Sequence, residues 1–303
     1  MKIISSNVWG IGNTTCLTNI LKNQKIISRL VPENEESFFV CLQEAWGGKL
    51  NPVSHRIYSI CKKIEKNTDN RGILLLNAII GHIFIIVIPL LLSFLYYTSM
   101  FGNSTFDSKT DLLPLLSDWD HTGVDISLPQ NSHKFIDSGL FIYTNRKIRK
   151  SIFVPYDHSS GTDIVSNKGF LAIWTDHMIL INTHLQNSDD LLCVKSTHAN
   201  QLQQLNQFLI KIKLQETDVN EILLVGDFNY TDSFFLEKFF CMQKISSTES
   251  TTHYNECLDH IFYWNRHNHT PLQNIVTDTV RSHSDHHIIS ANFDVSKLAG
   301  GKG

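Results

Sequence analysis

The stretch EILLVGDFN, residues 221–229, decides the fold class of this chain. Its apolar run predicts a buried β-strand, and Gly226 allows the backbone to turn sharply where the strand ends. Asp227 and Asn229 lie two residues apart, so an extended backbone would point both side chains the same way. An aspartate only accepts hydrogen bonds whereas an asparagine also donates them, so the pair can hold a water and a phosphate oxygen together.

Four other stretches repeat the pattern of a β-prone run that ends in Asn, Asp, Glu or His. In chain order they are NVWG at 7–10, LQE at 42–44, NTHLQ at 182–186 and SDH at 284–286. Each one alone is explained by an ordinary turn or surface group. Five such stretches in one chain indicate a site on strand ends, and their residue types indicate metal-assisted cleavage of a phosphoester.

Strand-like runs mixed with helical patterns predict a layered α/β protein. Strands are predicted at Lys2–Ile4, Phe38–Leu42, Gly139–Thr144, Gly169–Trp174, Met178–Asn182, Glu221–Val225, Leu258–Trp264 and His287–Phe293. Apolar residues on one face predict a helix over Asn200–Lys213, and Leu17–Leu30 has roughly helical spacing. We expect a single catalytic domain over residues 1–296, followed by a disordered tail over 297–303.

Composition restricts the function classes. The 303 residues contain 42% hydrophobic residues, enough for a sizeable core. A formal net charge of −3 disfavours a nucleic-acid partner, because a dedicated duplex-DNA binder usually carries a basic excess. The six cysteines form no CxxC pair, which disfavours a zinc cluster, and a disulfide framework is not expected in a chain of this size.

An inserted apolar segment occupies residues 73–101. Ile73–Met100 carries no formal charge and is long enough for a membrane span of about 20 residues. A single crossing would put Glu44 and His184 on opposite sides of the bilayer. If these residues form one site, the segment therefore does not cross the membrane once. The alternatives are a membrane-contacting hairpin or interfacial helix, a helix buried in the protein or in an oligomer interface, and a true span that voids the site.

Localisation follows from the same segment and from the amino terminus. No hydrophobic signal region precedes Asn7, so we expect no Sec signal peptide. We therefore expect a membrane-associated protein, peripheral or monotopic, that is cytoplasmic or exported by a non-Sec route.

Glu44, Asn7 and Asp285 are the candidate metal ligands. A carboxylate at a strand end can hold a hard cation such as Mg²⁺, which prefers oxygen ligands and keeps several waters. Asn7 offers a second oxygen ligand or a donor to phosphate, and Asp285 can ligate the metal or order the cluster. The histidine-rich run 283–287 lacks the spacing of a zinc site.

His286 is the candidate general base, because the unperturbed pKa of histidine lies close to the operating pH. Asp259 could orient its ring. His184 could protonate a leaving oxygen or bind the phosphate, and by itself it would be an ordinary histidine.

The order NxWG, LQE, NTHLQ, GDFN and SDH resembles the endonuclease/exonuclease/phosphatase superfamily, also called DNase I-like. The resemblance covers Met1–Phe293 except the region around Ile73–Asn131. It implies an α/β (α+β) fold: a four-layer sandwich with two central, mostly antiparallel β-sheets flanked by helices.

Within that superfamily the chain resembles the neutral sphingomyelinases. The matching features are Thr183–Gln186, the later Ala199–Leu202, the Ser138–Leu140 strand, and Asp163 five residues before Lys168. The family motif is Asp-x-x-x-Ser-Lys-Gly, and Asn167 stands here at the serine position. This departure leaves the Asp–Lys pair intact.

The resemblance implies a role for each matched residue. Glu44 would be the principal Mg²⁺ ligand, with Asn7 beside it and Asp285 near the metal, and Mn²⁺ is a possible substitute. His286 would be the base, oriented by Asp259. Asp227 and Asn229 would position water and phosphate. His184 would contact the phosphate or serve the leaving group. Lys168 would approach the phosphate and pair with Asp163.

The resemblance favours Mg²⁺-dependent, phospholipase C-type hydrolysis of sphingomyelin to ceramide and phosphocholine at a membrane surface. Secreted bacterial members use a signal peptide and a late hydrophobic hairpin, whereas this chain carries its apolar segment earlier. We therefore expect Ile73–Met100 to contact the membrane. The alternatives are a phosphoinositide phosphatase, another phospholipid phosphodiesterase or a nuclease on the same fold, and a catalytically silent membrane-binding module.

Overall fold

Two β-sheets form the centre of the molecule. The computed structural model describes residues 1–8, 26–27, 30, 37–44, 138–160, 163, 166–176, 178–187, 192–247, 249–267, 272, 275–282 and 284–293. Within these ranges the strands and helices are numbered in chain order.

The first sheet has five strands: β1 (Lys2–Asn7), β2 (Phe38–Gln43), β3 (Phe141–Thr144), β10 (Val276–Val280) and β11 (Ile288–Asn292). Their order across the sheet is β10-β11-β1-β2-β3. Only β1 and β2 run parallel, and the other neighbours are antiparallel. The polar strand β10 lies at an edge, where a strand needs no buried face.

The second sheet has six strands: β4 (Lys150–Pro155), β5 (Gly169–Trp174), β6 (Met178–His184), β7 (Glu221–Asp227), β8 (Gln243–Lys244) and β9 (Asp259–Asn265). Their order is β4-β5-β6-β7-β9-β8, and only β6 and β7 are parallel. Helix α1 (Leu192–Gln215) connects these two strands, and helix α2 (Ser233–Phe240) follows β7.

Three apolar clusters separate four layers. One lies between the sheets and includes Ile3, Phe39, Leu180 and Leu223. A second packs the outer face of the six-stranded sheet against α1 and α2. A third packs the outer face of the five-stranded sheet against helical residues that include Ile27. The predicted α/β sandwich with two mostly antiparallel sheets is confirmed.

A polar bridge joins the two sheets within the largely apolar space between them. Gln43 Nε2 donates to Asn182 Oδ1 at 2.7 Å and to Ser5 Oγ at 3.2 Å. Asn182 Nδ2 donates back across the interface to the carbonyls of Leu42 and Phe141, at 2.8 and 3.1 Å. Hydrogen bonds are directional whereas apolar contacts are not, so this bridge fixes how the sheets are aligned.

The predicted strands are all present, and β1, β6 and β7 extend to the functional residues Asn7, His184 and Asp227 at their ends. Helix α1 begins at Leu192, eight residues before the predicted start, and β4, α2, β8 and β10 were not predicted. The apolar segment 73–101 and the tail 297–303 lie outside the described residues, as does most of the helical pattern at Leu17–Leu30. The single-domain boundary stays a prediction. Among the described residues, no helix is long and apolar enough to cross a membrane.

Candidate active site

Strand direction brings the motif residues to one edge of the molecule. In the parallel pair β1–β2, Asn7 lies beside Gln43, and in the parallel pair β6–β7, His184 lies beside Asp227. Strand β9 is antiparallel to β7, so its first residue, Asp259, lies opposite Asp227. Parallel strands end at the same edge of a sheet, which explains why separate sequence motifs converge.

Asn7 connects the two sheets at this edge. Its Nδ2 atom donates to Glu44 Oε1 at 3.1 Å and to Asp227 Oδ2 at 3.0 Å. Burial is the main cause that raises the pKa of Glu44, against the lowering effect of Lys168 and Asn7. Glu44 also has a positive φ of 55°, a conformation that non-glycine residues seldom adopt outside special sites.

The turn after β7 aims Asp227 and Asn229 into the site. Gly226 has φ of 147°, and a Cβ atom there would lie 2.0 Å from the Thr183 carbonyl oxygen, so only glycine fits. Asn229, at φ 48°, donates its backbone N–H to Asp227 Oδ1 at 2.9 Å and its Nδ2 to the Leu185 carbonyl at 3.1 Å. Burial raises the pKa of Asp227 to about 7.

His286 and Asp259 form a buried pair across the sheets. The distance from His286 Nδ1 to Asp259 Oδ2 is 2.8 Å, and His286 Nε2 lies 3.7 Å from Asp227 Oδ2. Burial lowers the pKa of His286, but Asp259 and Asp227 together outweigh it and raise the pKa to about 11. The structure thus brings together the two residues predicted as the base and its orienting carboxylate, while their catalytic roles stay predictions.

His184 and Lys168 form a second buried pair. Lys168 Nζ lies 3.1 Å from His184 Nε2, 3.0 Å from the Leu185 carbonyl and 2.8 Å from Asp163 Oδ2. Burial, followed by the charges of Lys168 and His286, lowers the pKa of His184 well below its usual value. The imidazole is therefore neutral, and its Nε2 accepts from the ammonium, which has no acceptor of its own.

Asp285 makes hydrogen bonds with residues outside the predicted site. Its Oδ1 accepts from Ser284 Oγ at 3.1 Å, and its backbone carbonyl accepts from the His253 N–H at 2.8 Å. Its charge still raises the pKa of both Glu44 and His286. Asp285 thus acts on the site electrostatically, while its part in metal binding stays a prediction.

The described residues offer places for a metal ion. Asp227, Asp259 and His286 have ligand atoms within 4.8 Å of one another, a group that could hold one. Glu44 Oε2 is also buried and has no hydrogen-bond partner among the described residues. The first group differs from the predicted set of Glu44, Asn7 and Asp285, which stays a prediction. A cation at either place would offset buried negative charge.

Sequence reasoning missed the backbone of the site. The Leu185 carbonyl accepts from both Lys168 and Asn229. It therefore links the residue that precedes β5 to the turn that follows β7. Side-chain motifs carry no signal for a carbonyl, although Leu185 lies inside the NTHLQ stretch. The loop residue Thr251, which contacts Asp259, was also missed.

No protein-family model matches the chain, and no curated protein matches it. Several solved structures do. A mutant of beta toxin from Staphylococcus aureus with bound magnesium ions is 18% identical, with a TM-score of 0.61 over 97% of this chain and 99% of that chain. Sphingomyelinase C from Streptomyces griseocarneus is 13% identical, with a TM-score of 0.61 over 97% and 99%. A truncated TDP2 from Caenorhabditis elegans is 11% identical, with a TM-score of 0.54 over 96% of both chains.

These structures show that the chain has the DNase I-like fold, as the resemblance of its motifs implied.

Proposed function

We propose that this chain is a Mg²⁺-dependent phosphodiesterase of the phospholipase C type, which hydrolyses sphingomyelin to ceramide and phosphocholine at a membrane surface. The observation that carries the proposal is the buried His286–Asp259 pair. In this pair, His286 Nε2 lies 3.7 Å from Asp227 Oδ2. The same edge holds Glu44 and Lys168, so a base, carboxylates and a cation surround one position.

In its neutral form, which a cation near Asp227 would favour, His286 takes the proton of the attacking water at Nε2, while Asp259 holds the Nδ1 proton and stabilises the imidazolium that results. Asp227 and Asn229 orient the water and a phosphate oxygen. The new bond joins the water oxygen to phosphorus, the bond from phosphorus to the ceramide oxygen breaks, and the ceramide oxygen takes a proton from solvent water to leave as the alcohol. Lys168, beside the neutral His184, supplies positive charge for the phosphate.

The residues fit a divalent cation because the Glu44 Oε2 atom is buried without a hydrogen-bond partner among the described residues. Glu44 would hold the ion, with Asn7 beside it and Asp285 near it. When bound, Mg²⁺ neutralises phosphoryl charge in the transition state. The beta toxin structure with bound magnesium ions supports this choice of metal, and Mn²⁺ is a possible substitute.

Two observations favour a sphingolipid among phosphodiesters. The ion pair of Lys168 and Asp163, at 2.8 Å, is the pair that the sphingomyelinase resemblance implies, and it forms despite Asn167 at the serine position. In addition, one of the solved structures with this fold is a sphingomyelinase C.

The inserted segment supports a membrane-bound substrate. The described chain leaves the five-stranded sheet at Glu44 and returns at Ser138, shortly before β3. Because Leu42 of β2 pairs with Phe141 of β3, the two ends lie together at the edge that holds the site. A membrane contact through Ile73–Met100 would therefore belong to an insertion whose two described flanks, Glu44 and Ser138, lie at the edge that holds the reacting groups.

The test is phosphocholine release from sphingomyelin vesicles, with Mg²⁺ or with EDTA, by the wild type and His286→Ala. We expect metal-dependent release, and loss of about 10²- to 10⁴-fold in the variant. His267→Ala is the matched control, because His267 is exposed and follows the far end of β9. It should retain wild-type release.

Parallel assays with bis(4-nitrophenyl) phosphate, phosphoinositide vesicles and DNA identify the alternatives. Turnover of another phosphoester without phosphocholine release would retain the catalytic site and reject sphingomyelin. Absence of turnover with every substrate would support the silent binding module.

A further inference from the structure

We propose that Thr251 is the positioning residue that holds the His286–Asp259 pair in its catalytic geometry. This inference rests on the proposed function. Asp259 begins β9 in the six-stranded sheet, whereas His286 precedes β11 in the five-stranded sheet. The two residues are 27 positions apart, so their contact depends on interactions that fix both chain segments. Thr251 hydrogen-bonds to the Asp259 segment and to the His286 segment.

The side chain of Thr251 holds the Asp259 segment. Its Oγ1 accepts from the backbone N–H groups of Leu258 at 2.9 Å and Asp259 at 3.0 Å. A hydroxyl has two acceptor positions, so both are used by these two donors. Thr251 is 0% exposed, so water does not compete for these bonds.

The backbone of the same residue holds the His286 segment. The Thr251 carbonyl accepts from the His287 N–H at 2.7 Å, and the next residue, Thr252, forms an isolated β-bridge with His286. One buried residue thus fixes the backbone on both sides of the 2.8 Å contact between the ring and the carboxylate. Catalytic groups tolerate displacements of only about 0.5 Å, which makes such a fixed point consequential.

The variant Thr251→Val keeps the shape of the side chain and removes its acceptor, whereas Thr251→Ser keeps the acceptor. We expect Thr251→Val to lower kcat about 10- to 100-fold with little change in KM, as loss of a supporting hydrogen bond typically does. Thr251→Ser should restore most of the turnover. In a His286→Ala background, Thr251→Val should cause no further loss, because the pair it positions is already absent.

The control is Thr144→Val. Thr144 is equally buried, and its hydroxyl also makes two hydrogen bonds, to the Phe38 carbonyl and from the Arg146 N–H. It lies at the end of β3 away from the site, so its loss affects stability alone. Equal effects of Thr144→Val and Thr251→Val on kcat would overturn the proposal, as would an equal loss from Thr251→Val in the His286→Ala background.

A spectroscopic readout separates this proposal from the proposed function. The His286 Nδ1 proton, hydrogen-bonded to Asp259, should give a low-field NMR signal in the wild type and in Thr144→Val, and lose it in Thr251→Val. Absence of turnover with this pattern would reject the phosphodiesterase and retain the positioning role. If Thr251→Val fails to fold, slow hydrogen exchange of the Leu258 and Asp259 amides in the wild type supports the proposal, and fast exchange overturns it.

Discussion

At the scale of single residues, the site brings several carboxylates together, and their burial disfavours the ionised form. Glu44, Asp227 and Asp259 are carboxylates at one strand edge, and burial raises the pKa of the first two. The cations that face them are Lys168 and protonated His286. A divalent cation would supply the missing positive charge, so metal binding and carboxylate ionisation are coupled in this site.

Glu44→Gln tests the metal directly. The change keeps the size of the side chain and removes its charge, so we expect turnover to fall at least about 100-fold. Mg²⁺ should raise the Tm of the wild type, since a ligand that binds only the folded state stabilises it, and should not raise that of the variant. Glu249→Gln, at an exposed position, is the control and should behave as the wild type. A full Mg²⁺ response in Glu44→Gln would contradict this ligand assignment.

His286 should titrate differently with and without metal. Its pKa of about 11 exceeds the unfolded value near 6.5, so its charge stabilises the fold at low and neutral pH, and this contribution is lost as pH rises through about 11. A cation at Asp227 cancels part of the carboxylate field and lowers this pKa. We expect NMR titration of His286 to move to lower pH in Mg²⁺ than in EDTA. An unchanged titration of His286 would contradict the prediction that bound Mg²⁺ lowers its pKa.

At the scale of strands and sheets, the Gln43–Asn182 bridge sets the distance between the two halves of the site. Gln43 directly precedes Glu44 in the chain, and Asn182 lies two residues before His184. Both amides are fully buried, so water does not replace the 2.7 Å hydrogen bond from Gln43 Nε2 to Asn182 Oδ1 when either partner is lost. Misalignment of the sheets would separate Asn7 from Asp227, whose contact crosses the same interface.

A double-mutant cycle with Gln43→Leu and Asn182→Leu measures this coupling. Gln43→Leu leaves the buried Asn182 Oδ1 without its donor, and Asn182→Leu removes the acceptor of Gln43 Nε2 at 2.7 Å. Each single change should cost about 1–3 kcal/mol of unfolding free energy. The double variant should recover part of that cost, with a coupling of about 0.5–3 kcal/mol, because neither amide remains. Its turnover should stay low, since the apolar pair no longer aligns the sheets. Strictly additive unfolding energies, measured by denaturant titration, would disprove the coupling.

The same scale explains what could be predicted from the sequence. Strand β7 was evident because four consecutive apolar residues precede Gly226. Asn7, Glu44, His184 and Asp227 were evident because each follows a strand-like run. Strand β10 was missed because three of its five residues are exposed and the other two are only half-buried, so it has no buried face to produce a pattern. Thr251 and the Leu185 carbonyl were missed because their roles depend on tertiary contacts that no local pattern encodes.

At the scale of the whole molecule, we expect the apolar segment to matter only on membranes. Replacement of residues 73–101 by a Gly/Ser linker should leave hydrolysis of bis(4-nitrophenyl) phosphate near the wild-type rate. Vesicle binding and release of phosphocholine from vesicles should both fall, because about 25 cal/mol per Å² of buried apolar surface is lost from the contact. The measurements are cosedimentation and the two turnover assays. Unchanged activity on vesicles would reject the membrane role of this segment.

The positions of the two described flanks of the apolar segment also lead to a kinetic expectation. Glu44 and Ser138 lie at one edge, so the proposed bilayer contact by the segment between them would keep the site near the lipid surface. Such tethering replaces three-dimensional search by lateral encounter at high effective concentration. One enzyme should then consume many lipids on a single vesicle before it transfers to another, and the progress curve should show an early plateau when vesicles outnumber enzymes.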